Sequence, residues 1–120
     1  MKLDIEITAS QLVQLAGALD RLAAAAKDVG AFQHELARFL HAIYASGLIE
    51  PYDWMTDVAE RRGEFDDATA LQRMDAERFH RTVIAHVRLD RLEDGHLMEL
   101  AASGYLTAMA ARARTLAAAV

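Results

Sequence analysis

The chain has 120 residues, of which 53% are hydrophobic and 26% charged, a balance typical of one folded globular domain rather than a disordered chain. Its net charge of −5 argues against a duplex-DNA binder, because such proteins gain affinity by neutralising phosphates. It contains no cysteine, which excludes disulfides and thiolate zinc sites. Alanine is abundant and the single proline is Pro51, so the composition favours an all-α fold.

Residues 1–7 are predicted to form a short extended arm. Residues 2–7 read KLDIEI, in which charged and apolar side chains alternate with the period of a strand. We expect this arm to remain extended or to pair with a second copy in a homodimer. It lacks the continuous apolar core of a signal peptide, and the C-terminal AAAV is far shorter than the about 20 residues that span a bilayer. A soluble cytoplasmic protein with no membrane partner is expected.

Two amphipathic helices are predicted next. Thr8 and Gln11 have the spacing of a capping box, and we expect Gly30 to close the first helix. The second helix carries a broad apolar stripe between residues 32 and 44 and ends at Gly47. On its other side lie polar side chains that we interpret as a solvated face: His34, Arg38 and His41.

Three or four further helices complete a compact bundle of five to six helices, formed by residues 1–120 as a single domain. Asp53 is placed to cap a short third helix that we expect Gly63 to close. Residues 64–74 are weakly patterned and hold at most a helical turn. Asp75 can cap the fourth helix, which runs to about residue 91, and a fifth follows Gly95. Gly104 then separates the last helix.

The segment 79–97 concentrates polar residues within an apolar helical pattern. On a helical wheel, His86 falls inside the inward arc, and Asp90 lies beside it one turn later. A carboxylate that faces a core must be paired, so we expect Asp90 to hydrogen-bond His86. Three interpretations remain open. The pair is a structural staple that His96 completes, a general base with its orienting carboxylate, or a metal site formed by His86, Asp90 and His96.

A resemblance to a known family is carried by two motifs. The sequence resembles a family of small uncharacterised bacterial proteins, a domain of unknown function, in which an aromatic-Asp-Trp motif precedes an HVRxDR motif and then GHL. The matching positions lie within residues 50–107 and are Tyr52, Asp53, Trp54, His86, Val87, Arg88, Asp90, Arg91, Gly95, His96 and Leu97. Leu92 departs from the pattern, which has an aromatic residue there.

The resemblance implies that the two motifs form one unit. It implies a partly apolar pocket in which Trp54 lies over His86 and Asp90. The residues of this expected pocket are Asp53, Trp54, His86, Arg88, Asp90, Arg91 and His96.

Three classes of function are consistent with these residues. The first is a binding or interaction module that recognises a small anionic ligand or a protein partner, with arginine supplying fixed charge. The second is a small hydrolytic or metal-dependent enzyme that uses His86, Asp90 and His96. The third is an RNA or single-strand binder with Trp54 as a stacking platform. No cofactor is identified, and a homodimer is expected.

Overall fold

The computed structural model describes residues 3–119, which form seven α-helices and no strand. The helices are α1 (Ala9–Ala24), α2 (Val29–Ala45), α3 (Trp54–Glu60), α4 (Ala68–Leu71), α5 (Ala76–Leu92), α6 (His96–Ser103) and α7 (Tyr105–Ala119). The all-α prediction is confirmed. The helix beyond the predicted six is α4, a single turn within the weakly patterned segment.

The start of α1 is as predicted, but its end is not. Thr8 and Gln11 form the capping box, since each side-chain oxygen accepts the other residue's backbone N–H, at 3.1 and 2.9 Å. The prediction that Gly30 closes α1 is wrong. The helix ends at Ala24 and a 3-10 turn follows, after which Asp28 accepts the N–H of Gly30 at 2.9 Å and caps α2. A good N-cap directly after the turn therefore places Gly30 inside α2.

The core is built around the contact between α1 and α7, the most extensive helix pair in the described chain. Small side chains at Ala16 and Ala110 are fully buried there and allow the two backbones to approach closely. The large core residues beside them are Leu12, Leu19, Leu22, Leu106 and Met109. Contacts between α1 and α2 are far fewer than those between α1 and α7.

The described part of the N-terminal arm, residues 3–7, is fastened to its own chain. Backbone N–H groups of Asp4 and Ile5 donate to the two carboxylate oxygens of Glu50, at 2.6 and 3.0 Å. The N–H of Leu3 donates to Glu77 at 3.0 Å. These donors are therefore already engaged, and the pairing of this edge with a second copy is not supported. Residues 1 and 2 of the predicted arm lie outside the described residues.

The remaining breaks follow glycine in three of four predicted places. Gly47, with a φ of 79°, follows α2, which ends at Ala45. Gly95 and Gly104 have φ of 81° and 90°, a left-handed conformation that favours glycine, and they enclose α6. Gly63 does not close α3, which ends earlier, at Glu60. Within residues 3–119, no helix has the length and apolar character needed to cross a membrane.

Candidate functional site

His86 lies at the centre of a buried cluster of rings. Its side chain is only 1% exposed and packs edge-on against Phe65 and Tyr105, with ring centroids 5.3 and 5.1 Å away. Both ring nitrogens have partners: Nδ1 lies 2.9 Å from Nε2 of His96, and Nε2 lies 3.2 Å from the hydroxyl of Tyr105. We call His86, His96, Tyr105 and Phe65 the imidazole cluster. It joins α5, α6 and α7 to the loop that precedes α4.

The cluster holds His86 in its neutral form. Burial, and then the neighbouring His96 and Arg61, lower the pKa of His86 to about 3, and the Phe65 carbonyl only partly opposes this shift. A neutral imidazole offers one donor and one acceptor. The ring is therefore surrounded by partners, namely His96, Tyr105 and the Phe65 carbonyl, and it presents no nitrogen to a substrate or a metal ion.

Asp90 does not pair with His86, which corrects the sequence prediction. Its Oδ1 accepts the backbone N–H of Leu97 at 2.9 Å, in the first turn of α6. The N–H groups of a helix start have no partner within the helix, so a carboxylate from the end of α5 satisfies one of them. The chain reverses its direction at Gly95, and this turn brings the ring of His96 into contact with that of His86. This geometry agrees with the interpretation as a structural staple, except that His96, rather than Asp90, bonds His86, while Asp90 bonds the backbone.

The two sequence motifs are not assembled into the expected pocket. Asp53 caps α3, where it accepts the N–H and the hydroxyl of Thr56 at 3.2 and 2.7 Å. Trp54 is half-buried, and within residues 3–119 its ring makes no contact with His86. Phe65 occupies the place expected for Trp54. The signal for Phe65 was weak, since it is one apolar residue in the acidic stretch GEFDD.

The arginines of the second motif lie on the outer side of α5. The guanidinium of Arg88 is placed over the ring of Tyr44, 5.8 Å from its centroid, with Nη1 3.4 Å from the hydroxyl. Arg91 is exposed. Neither guanidinium contributes charge to the imidazole cluster.

The metal candidates do not form a coordination site. Among residues 3–119, no group of three histidine or acidic side chains is arranged so that it could hold a metal ion. His86 and His96 direct nitrogens at each other across a hydrogen bond, and Asp90 is bonded to the backbone. This geometry argues against the metal site that the sequence left open.

A buried ion pair, which the sequence did not reveal, adjoins the cluster. Arg61 donates through Nε and Nη2 to both oxygens of Asp57, at 2.8 and 2.6 Å, and lies over the ring of Phe65. Burial alone would raise the pKa of Asp57, but the hydrogen bonds and charge of Arg61 outweigh it and the pKa is lowered. Burial, followed by the charge of Asp57, raises the pKa of Tyr52, whose hydroxyl lies 2.8 Å from the Arg81 carbonyl. The motif residue Tyr52 therefore belongs to this structural network.

A concave surface with a mainly apolar lining lies between α1 and α2. Its apolar half holds a cavity of about 70 Å³, which is shallow and much smaller than a typical small-molecule pocket. Residues spaced as on a helix face form each wall. They are Gln11, Gln14, Leu15 and Ala18 from α1, and Phe39, Ala42, Ile43, Ser46 and Leu48 from α2 and the segment after it. We call this surface the α1–α2 groove.

The groove continues past Ala18, Phe39 and Ala42 into a charged half. There it is lined by Arg21 from α1 and by Glu35, Arg38 and His41 from α2. Arg38 and His41 were interpreted as a solvated face, and the structure shows that they also border this depression. The groove therefore has an uncharged polar end near Gln11 and a charged end near Arg21.

Comparison with known proteins identifies the family to which this chain belongs. The chain belongs to a family of unknown function (DUF6508), whose model matches residues 26–119. The resemblance drawn from residues 50–107 is thus confirmed at the level of the family, and the match begins in the 3-10 turn after α1 and extends through α7. No curated protein and no solved structure matches the chain.

Proposed function

We propose that this protein is a binding module that takes up an apolar helical segment of a partner protein in the α1–α2 groove. The observation that carries the proposal is the pair of facing stripes, in which Leu15 and Ala18 oppose Phe39 and Ala42. Small alanines on both walls leave a depression, and the larger side chains form its apolar floor. Such a surface accepts the anchors of an amphipathic helix at i, i+3, i+4 and i+7.

The dimensions favour a helix over an isolated small molecule. The α1 wall runs from Gln11 to Arg21, which corresponds to roughly 15 Å at 1.5 Å per residue, or about three helical turns. A helix lying there would bury its apolar side chains on Phe39 and leave its polar face in water.

A role of the imidazole cluster as the binding pocket, or as a catalytic site, is less well supported. Any ligand of His86 would have to displace His96 or Tyr105 from a buried hydrogen bond, which costs about 1–3 kcal/mol for each polar group left without a partner. A hydrolytic role would further require Asp90 to leave the backbone of α6. We therefore assign the cluster to stability and the groove to binding.

A synthetic helical peptide tests this proposal directly. The probe is about 12 residues long, with leucines along one face and only alanine and glutamine elsewhere, and its affinity is measured by fluorescence anisotropy. Ala42→Lys places a charged chain on the apolar wall and should weaken binding on the order of tenfold. The matched control is Ala37→Lys, because Ala37 is also an exposed alanine of α2 but does not line the groove. Absence of binding, or equal weakening by both variants, contradicts the proposal.

Three further properties are proposed from the sequence alone. They are a bacterial origin, a cytoplasmic location and a homodimer. The first two rest on the family resemblance and on the composition. A monomeric mass by light scattering at high protein concentration would contradict the third.

A further inference from the structure

We infer that the helical partner carries acidic side chains in its N-terminal turn and lies in the α1–α2 groove with that turn at the Arg21–Arg38 end. This inference rests on the proposed function, because it assigns chemistry and direction to the same surface. It follows from the uneven distribution of charge along the groove.

One end of the groove is cationic and the other is uncharged. Arg21, Arg38 and His41 line the first end, where Glu35 is the one acidic side chain among the lining residues. Gln11, Gln14 and Ser46 line the other end and carry no charge. Two guanidinium groups against one carboxylate give a local positive charge on a chain whose net charge is −5. A partner that is acidic at this end would be complementary in charge.

Both guanidinium groups are available at the surface. Arg38 is 65% exposed, and its ion pair with Glu35 is loose, with Nη1 3.6 Å from Oε1. A Cβ atom placed on Gly17 would lie 3.6 Å from Nη1 of Arg21, so the Arg21 side chain folds back by one turn along α1. The absence of a side chain at Gly17 leaves room for this position. The guanidinium therefore lies beside Gly17 on α1 rather than beyond the helix end.

The direction of the bound helix follows from its own dipole. A helix is stabilised by acidic residues in its first turn, where the N–H groups have no partner within the helix. An acidic turn at the cationic end therefore places the N-terminus of the partner beside Arg21 and Arg38. The partner then runs antiparallel to α1 and parallel to α2, and its apolar anchors follow from Phe39 towards Ile43.

Two peptides of identical composition test this orientation. Each has the leucine face of the neutral probe and two glutamates, which lie in the first turn of one peptide and in the last turn of the other. A covalent bridge on the solvent face keeps both peptides helical, so that affinity reports position rather than helix content. The N-terminal version should bind on the order of fivefold more tightly at low salt, as expected for two exposed ion pairs, and the preference should vanish in 1 M NaCl.

Two arginine variants locate the effect. Arg38→Gln should remove most of the preference, whereas Arg62→Gln should preserve it, because Arg62 is an exposed arginine that does not line the groove. Equal affinities of the two peptides, a reversed preference, or equal effects of both variants would overturn the inference. If the neutral probe still binds, only the inferred orientation fails and the proposed function stands. If no peptide binds, the orientation and the proposed function fail together.

Discussion

Stability should fall as the pH is lowered from 7 to 5 because His86 cannot accept a proton in the folded chain. The pKa of His86 is lowered from 6.5 to about 3 by burial and by His96. Between these values the unfolded chain binds a proton that the folded chain does not, so the free energy of unfolding decreases as the pH falls. For this single group the loss between pH 7 and pH 5 is about 2 kcal/mol.

The measurement is urea denaturation followed by circular dichroism at pH 7, 6 and 5. His86→Gln keeps groups that can donate and accept within the imidazole cluster, but it does not titrate. This variant should be less stable at pH 7, and its stability should change by about 2 kcal/mol less than that of the wild type over this range. The carboxyl of Asp57 has a lowered pKa and titrates below the range. His34→Gln, at an exposed site on α2, is the control and should behave as the wild type. The same pH dependence in His86→Gln and the wild type would refute the reasoning.

Three substitutions test other contacts by the same unfolding assay. Tyr105→Phe removes the hydroxyl 3.2 Å from His86 and should cost about 1–3 kcal/mol, because a buried nitrogen loses its partner; an unchanged midpoint would contradict this. Asp57→Asn leaves Arg61, whose side chain is 8% exposed, without its counter-charge and should cost about 3–5 kcal/mol; a cost below about 1 kcal/mol would show that the pair is not effectively buried. Gly95→Ala forces a side chain into a φ of 81° and should cost about 1–2 kcal/mol, whereas a neutral result would argue against the left-handed turn.

Local features of the fold were predictable from sequence because they depend on neighbouring residues. The capping box of Thr8, the cap at Asp75 and the glycine turn at Gly95 each require only a few residues, and each is present. Gly30 was assigned wrongly because Asp28, a competing cap, lies just before it. Prediction of helix ends from neighbouring residues therefore fails where two such signals overlap, as those of Asp28 and Gly30 do.

The arrangement of the polar segment could not be predicted from sequence alone. The wheel correctly placed His86 inside the fold, yet its partner is His96, which lies across a turn, rather than Asp90 on the same helix. Likewise, Phe65 rather than Trp54 packs on the ring, because the path of the loop before α4 is decided by tertiary contacts. Spacing along one helix predicts which side chains share a face, but it does not predict which other segment meets that face.

The α1–α2 groove was missed for a related reason. The side chains of Arg38 and His41 alternate with the apolar stripe of α2 in a way that is typical of any solvated helix. They border a depression because α1 packs mainly against α7 and makes far fewer contacts with α2. The main packing partner of α1 lies far along the chain, and this packing leaves no pattern within α2 itself.

The most direct test of a groove-binding module is a map of amide chemical shifts in ¹⁵N-labelled protein as the peptide with N-terminal glutamates is added. We expect the shifted amides to form one continuous surface on α1 and α2 that includes Ala18, Phe39 and Ala42, while those of His86 and His96 remain in place. Shifts centred on His96 and the Gly95 turn, or no shifts at millimolar peptide, would contradict the assignment of binding to the groove.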